Sequence, residues 1–190
     1  MNKGSIYISN ASPPAVYEAY LDQFQEDFAL FSRSRSEEIV PGGSMVLTSL
    51  GRTENPNSIY EGIIEKTKLD YFNLPYYAPK AREVEKVIEE EGSFTLQKLD
   101  IFEIGWDAGF RESLSEKGTN LHAYYDKTKR GKYVSDYLRA VVEPILVKQF
   151  GPTIIDDLFK RFTNKVVESM EKENWPFVNL VVSLTKKKLT

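Results

Sequence analysis

The sequence predicts an α/β fold in which extra helices are inserted between the strands of a sheet. Three observations carry that expectation. Met45 to Leu50 is a nearly continuous apolar run, too short for a helix, bracketed by Pro41-Gly42-Gly43 and Gly51. Phe177-Val-Asn-Leu-Val-Val-Ser-Leu184 is a second such run. Between Tyr17 and Phe31 the apolar residues recur at helical spacing instead. The resulting order is strand, helix, strand, helices, strand, helices, strand.

Taken in order, Met1 to Ser9 alternates around Ile6 and Ile8 and reads as a short strand or an extended connector. Ser12 is placed to cap a helix that has Pro13 and Pro14 in its first turn, where a missing N–H is harmless. Tyr17, Tyr20, Leu21, Phe24, Phe28 and Phe31 form its apolar stripe. The polar run Arg33 to Glu38 continues the helix toward Pro41 as a solvated face. Met45 to Leu50 then reads as a parallel strand buried on both faces, and such strands place ligands at their carboxyl end, here near Leu50 to Arg52.

Thr53 to Ser58 is rich in turn residues, and Ile59 to Lys68 has a weak helical pattern. Leu69 to Pro79 breaks both periodicities. A helix from Pro79 carries Val84, Val87 and Ile88 on one face and closes at Gly92. Phe94, Leu96, Phe102, Ile104 and Trp106 share one parity, which predicts a long strand bulged near Lys98 and Asp100. Asp107 to Arg130 is polar and aperiodic and reads as a long loop. Val134, Tyr137, Leu138, Val141 and Ile145 mark a further helix, interrupted or kinked by Pro144. Pro152 starts another, with Ile155, Leu158, Phe159, Phe162 and Val166 on one face.

Composition narrows the chemistry mostly by exclusion. The 190 residues suit one domain, 41% hydrophobic and 28% charged, with a net charge of -3 that implies no nucleic-acid partner and no membrane surface. Zero cysteines excludes disulfides and thiolate chemistry. One histidine, His122, leaves little for a His-rich metal site or a Ser-His-Asp triad. It reads first as a surface residue, although an imidazole pKa near ~6.5 permits acid–base work. No dinucleotide fingerprint, phosphate loop or zinc-protease motif occurs. Gly42-Gly43 precedes a strand and so reads as a turn, not a phosphate cradle. No leader and no membrane-length apolar run is visible, so a cytoplasmic protein is the expectation.

Ordered blocks add what composition cannot. Asn2-Lys-Gly-Ser-Ile-Tyr7, Tyr20-Leu-Asp-Gln-Phe-Gln-Glu-Asp-Phe28, Pro41-Gly-Gly-Ser-Met-Val-Leu-Thr48 and Leu69-Asp-Tyr-Phe-Asn-Leu-Pro75 are followed by Arg139-Ala-Val-Val-Glu-Pro144 and Asn179-Leu-Val-Val-Ser-Leu184. Together they resemble the SABATH family of plant S-adenosylmethionine-dependent carboxyl methyltransferases. That family acts on small acids such as salicylate, jasmonate, benzoate and gibberellins, and a related branch methylates xanthines toward caffeine. The resemblance implies the C-terminal half of a Rossmann-like methyltransferase sheet, as one partial domain over 1–190. Its strands would lie near 5–9, 44–50, 94–106 and 177–185, and its helical cap near 59–91 and 131–170.

The first half of the family, which carries the cofactor-gripping turn and the groups that hold the substrate carboxylate, has no counterpart in these residues. A family helix that opens on a pocket tryptophan is also missing after Leu50-Gly-Arg52. Both gaps are what a truncated or mis-spliced gene model would produce. By resemblance, Leu50, Leu138, Val141 and Phe177 contact the substrate. A family magnesium site falls on Asn2, Asp70, Phe72 (through its carbonyl) and Asn73, a hard-oxygen set that suits Mg²⁺. The resemblance thus implies S-adenosylmethionine and Mg²⁺ as cofactors, a small carboxylic acid as substrate, and allows a homodimer of the family type. The competing expectation is a non-catalytic remnant that lacks the cofactor site and only pairs with intact homologues.

Overall fold

The computed structural model describes residues 12–52, 74–110, 126–172 and 176–188. Among them run α1 (Pro14–Glu38), β1 (Ser44–Gly51), α2 (Ala81–Glu91), β2 (Phe94–Gly105), α3 (Lys127–Phe150), α4 (Ile155–Lys172) and β3 (Pro176–Lys186). The chain divides into two compact units. The first holds α1, β1, α2, most of β2, and β3; the second holds α3 and α4, with the division falling inside β2 after Glu103. The expected strand near 5–9, the expected cap residues 59–73 and His122 lie outside the described residues.

The first unit is built on a three-stranded sheet of order β1-β3-β2. β1 and β3 are antiparallel, with Met45 opposite Leu184, Leu47 opposite Val182 and Leu50 opposite Asn179. Alternation along each strand sends Leu180, Val182 and Leu184 to one face, where they are buried with Val84 and Ile88 of α2 and with Phe94. Met45 and Leu47 of β1 and Phe24 and Phe28 of α1 close around this core. The phenyl rings of Phe24 and Phe28 stack with centroids 5.6 Å apart.

β1 corrects the sequence reading. It pairs antiparallel, and it is not buried on both faces: Val46 is 65% exposed. A continuous apolar run reports composition along the strand, but burial depends on what covers each face. Here the face that carries Val46 is left open although Val46 is apolar.

Local chemistry explains the joints. Val40 accepts the Gly43 N–H at 2.8 Å across a turn with Gly42 at φ 82°, a backbone state that costs an L side chain energy. The Pro-Gly-Gly stretch is therefore the turn that the sequence indicates. Lys186 Nζ donates to the Ile39 carbonyl at 2.8 Å and to that of Ser36, satisfying acceptors at the end of α1. α1 opens on Pro14, with Pro13 in the N-cap position that the sequence reading gave to Ser12. α2 ends as expected at Gly92, φ 83°. It packs on the sheet within the first unit, whereas the sequence assigned it to the cap.

In the second unit Asp126 caps α3, accepting N–H bonds from Thr128 and Lys129 at 3.0 and 3.2 Å. The expected long loop therefore ends several residues early. α3 runs without a break through Pro144. It meets α4 through Gly131, Val134, Ser135 and Leu146 on one side and Ile155, Phe159 and Val166 on the other. A Cβ at Gly131 would lie 2.4 Å from Val167 Cγ2, so glycine is what lets the two helices approach. Beyond β2, Trp106 and Phe110 are buried, Asp107 pairs with Arg130, and the Tyr137 hydroxyl donates to the Trp106 carbonyl at 3.0 Å.

Candidate active site

Two of the four expected substrate contacts come together in the first unit. Leu50 stands opposite Asn179 on β3, and Phe177 is two residues from Asn179, so all three share the sheet face turned away from the helix-packed core. Leu50 is 37% exposed. Asn179, which the sequence reading did not single out, sets an amide between two apolar neighbours and donates its Nδ2 to the Phe177 carbonyl at 3.1 Å. Val181 and Ser183 continue the same face. The result is a mixed surface on which Leu50, Phe177 and Val181 are apolar and Asn179, Thr48 and Ser183 are polar, a combination that small-molecule site walls use.

The other two, Leu138 and Val141, lie one turn apart on α3 in the second unit. Val141 is 69% exposed and Ile145 extends the stripe, while the opposite side of α3 is buried against α4. Arg139, between them, bonds Glu143 at 2.6 Å and Asp156 at 2.7 Å. That draws Glu143 below the usual carboxylate range, chiefly through the Arg139 hydrogen bond. Asn2, Asp70, Phe72 and Asn73, the expected magnesium ligands, lie outside the described residues. Among the described residues there is no cluster of three or more His, Cys, Asp or Glu side chains able to hold a metal.

Just beyond Leu50 the structure contains a polar cluster that sequence reasoning missed. Arg52 lays its guanidinium across the Glu83 carboxylate, Nη2 to Oε1 at 2.7 Å and Nη1 to Oε2 at 3.1 Å. The side chains are 14% and 9% exposed. Tyr17 donates to Oε1 and Tyr77 to Oε2, each at 2.7 Å, and the Lys80 backbone N–H adds a bond of 2.8 Å to Oε2. The guanidinium lies 5.1 Å from the Tyr17 ring centroid and 4.9 Å from that of Tyr77. It also donates to the Ala78 carbonyl, and the Arg52 N–H reaches the Pro79 carbonyl at 3.1 Å. Burial pushes the Tyr77 phenol far above its usual range, and its bonds with Tyr17 and Glu83 push it further. Glu83 at the third position of a helix behind a proline is a local capping signal, but nothing local pairs it with Arg52.

Comparison with known proteins decides the family. Residues 1–187 match the family described as SAM dependent carboxyl methyltransferase. This chain belongs to that family. The SABATH resemblance read from the ordered blocks is therefore right. Among the family's curated members, the chain is 40% identical to a probable caffeine synthase of Coffea canephora, covering 98% of this chain and 52% of that one. It is 39% identical to a salicylate carboxymethyltransferase of Clarkia breweri, covering 98% of this chain and 55% of that one.

A solved structure of a loganic acid methyltransferase with SAH superposes with a TM-score of 0.74 at 28% identity, covering 98% of this chain and 54% of that chain. The α/β methyltransferase architecture follows. The chain thus spans about half the length of the curated relatives it matches. The stretch aligned with the Clarkia protein is 209 positions long against 190 residues here, so that relative carries residues inside the match that this chain lacks.

Proposed function

We propose that this chain supplies the acid-binding side of an S-adenosylmethionine-dependent methyltransferase that esterifies the carboxylate of a small plant acid. The observation that carries the reading is the family match over residues 1–187 joined to the sheet face on which partly exposed Leu50 and Phe177 lie together. Salicylate, the acid named for the Clarkia relative, is the first candidate of its class.

The bound cofactor's contribution is an electrophilic methyl on a sulfonium. A carboxylic acid is already ionised near neutral pH, so its oxygen needs no general base to attack. What the chain contributes is positioning and exclusion of water. Leu50 and Phe177 on the sheet are proposed to hold the apolar body of the acid, with Asn179 as an orienting amide; Leu138 and Val141 on α3 are proposed as substrate contacts on the family resemblance alone.

The described residues do not fit the cofactor itself. The turn after β2 is filled by its own Trp106, Phe110 and the Asp107–Arg130 pair, and β1 ends in the Arg52 cluster. No step is therefore assigned to described residues through that group. Magnesium at Asn2, Asp70, the Phe72 carbonyl and Asn73 is proposed on the chemistry of the donor set, all hard oxygens. Titrating Mg²⁺ into the purified chain should raise its melting temperature; no movement removes the ion from the account. A family-type homodimer is proposed on the same resemblance.

The half-length match favours a second reading, a non-catalytic chain that pairs with intact homologues. Incubation of the purified chain with S-adenosylmethionine and a panel of salicylate, benzoate and jasmonate separates the two. The first reading gives a methyl ester detectable by mass spectrometry. No ester, together with no calorimetric heat from S-adenosylmethionine, supports the second.

A further inference from the structure

We propose that Arg52 is a positioning residue, and that its cage of Tyr17, Tyr77 and Glu83 is a clasp that fixes the carboxyl end of β1 beside the wall formed by Leu50. The inference builds on the proposed acid-binding face, but its own physical content is independent of it. The cage ties four separate pieces of the first unit together: α1 through Tyr17, the end of β1 through Arg52, the extended 74–80 segment through Tyr77, Ala78 and Pro79, and α2 through Glu83. A further bond, from the Tyr20 hydroxyl to the Leu74 carbonyl at 3.0 Å, pins the start of that segment to α1.

The reason to assign position, and not only stability, is energetic. Desolvating a carboxylate and a guanidinium consumes most of what their attraction returns, so a buried pair is a poor way to stabilise a core. A closed network does define one arrangement, because any shift leaves a buried charge or donor without its partner. Here each Glu83 oxygen receives at least two donors, and the guanidinium is held between two rings. Only a planar fork meets both demands; a lysine ammonium is a point charge and cannot. Leu50 is two residues from Arg52, so the clasp sets where the Leu50 end of the strand stands.

The test uses the full 190-residue chain with methyl-labelled leucine and sodium salicylate as the probe. Arg52→Lys keeps the charge and loses the fork. Amide exchange at position 52 and across 74–80 should accelerate about tenfold or more, while Leu180, Val182 and Leu184 amides keep their wild-type rates. Salicylate affinity, read at the Leu50 methyls, should fall about tenfold. Equal acceleration of the Leu180, Val182 and Leu184 amides would show a merely structural role and overturn the proposal, as would unchanged exchange at position 52. If Arg52→Lys does not fold, Tyr77→Phe removes one donor and keeps the ion pair, with the same local pattern expected. If salicylate moves no Leu50 methyl in the wild type, the acid-binding reading fails, and the clasp is judged on the exchange pattern alone.

Discussion

The two regions that carry the expected substrate contacts are held in different ways. Around Leu50, the sheet face is fixed from below by a packed core and at its end by a closed polar cluster with Arg52 at its centre. Around Val141, the apolar stripe stands on the outside of α3, and its position depends on how α3 lies against α4. The first arrangement is set by directional bonds, the second by close packing through a glycine. Side-chain chemistry should therefore govern one and side-chain volume the other.

Breaking the charge cluster should have the largest effect. Glu83→Ala leaves Arg52 charged and buried, and denaturant unfolding should show a loss of about 3–5 kcal/mol. A smaller, pH-dependent effect isolates one donor of the same cluster. Tyr77→Phe deletes a hydrogen bond to a charged group and should cost about 1.5–3 kcal/mol near neutral pH. Because the folded Tyr77 phenol lies above its unfolded value, the wild type should hold its stability below about pH 10 and lose it as pH rises further, when the unfolded phenol ionises first. Melting curves between neutral pH and pH 11 should show a shallower alkaline decline in the Phe variant.

On the helical side, volume is the lever. Gly131→Ala gains helix propensity of about 1 kcal/mol but drives a Cβ to 2.4 Å from Val167, and overpacking costs about 1–3 kcal/mol. A net loss on the order of 1 kcal/mol is expected, and a more stable variant would mean that the α3–α4 contact is looser than described. The smallest effect belongs to the exposed stripe. Val141→Ser should change stability by less than about 0.5 kcal/mol, because the residue is 69% exposed. A larger loss would place Val141 in a contact that the described residues do not show.

The same contrast governs what could be read from the sequence. Element positions were legible because periodicity and turn residues act locally: α1, the Gly42 turn, the Gly92 stop and the β3 run follow from neighbouring residues. The open face of β1 was not, because Met45 and Val46 are both apolar and only the partner layers decide which of them is covered. The Arg52 clasp was not legible either, since Tyr17, Arg52, Tyr77 and Glu83 are brought together from positions as far as 66 residues apart. The family was legible because ordered blocks survive in a chain half the length of its relatives. Leu50 and Phe177 were named from those blocks, but Asn179 between them emerged only from the strand register.

Methyl spectra of the leucine-labelled chain, titrated with sodium salicylate, test the central claim most directly. Saturable shifts are expected at the Leu50 methyls with no change at Leu184, which is buried on the opposite face of the same sheet. Shifts absent at Leu50 up to millimolar salicylate, or equal at Leu50 and Leu184, would contradict an acid-binding face at the end of β1.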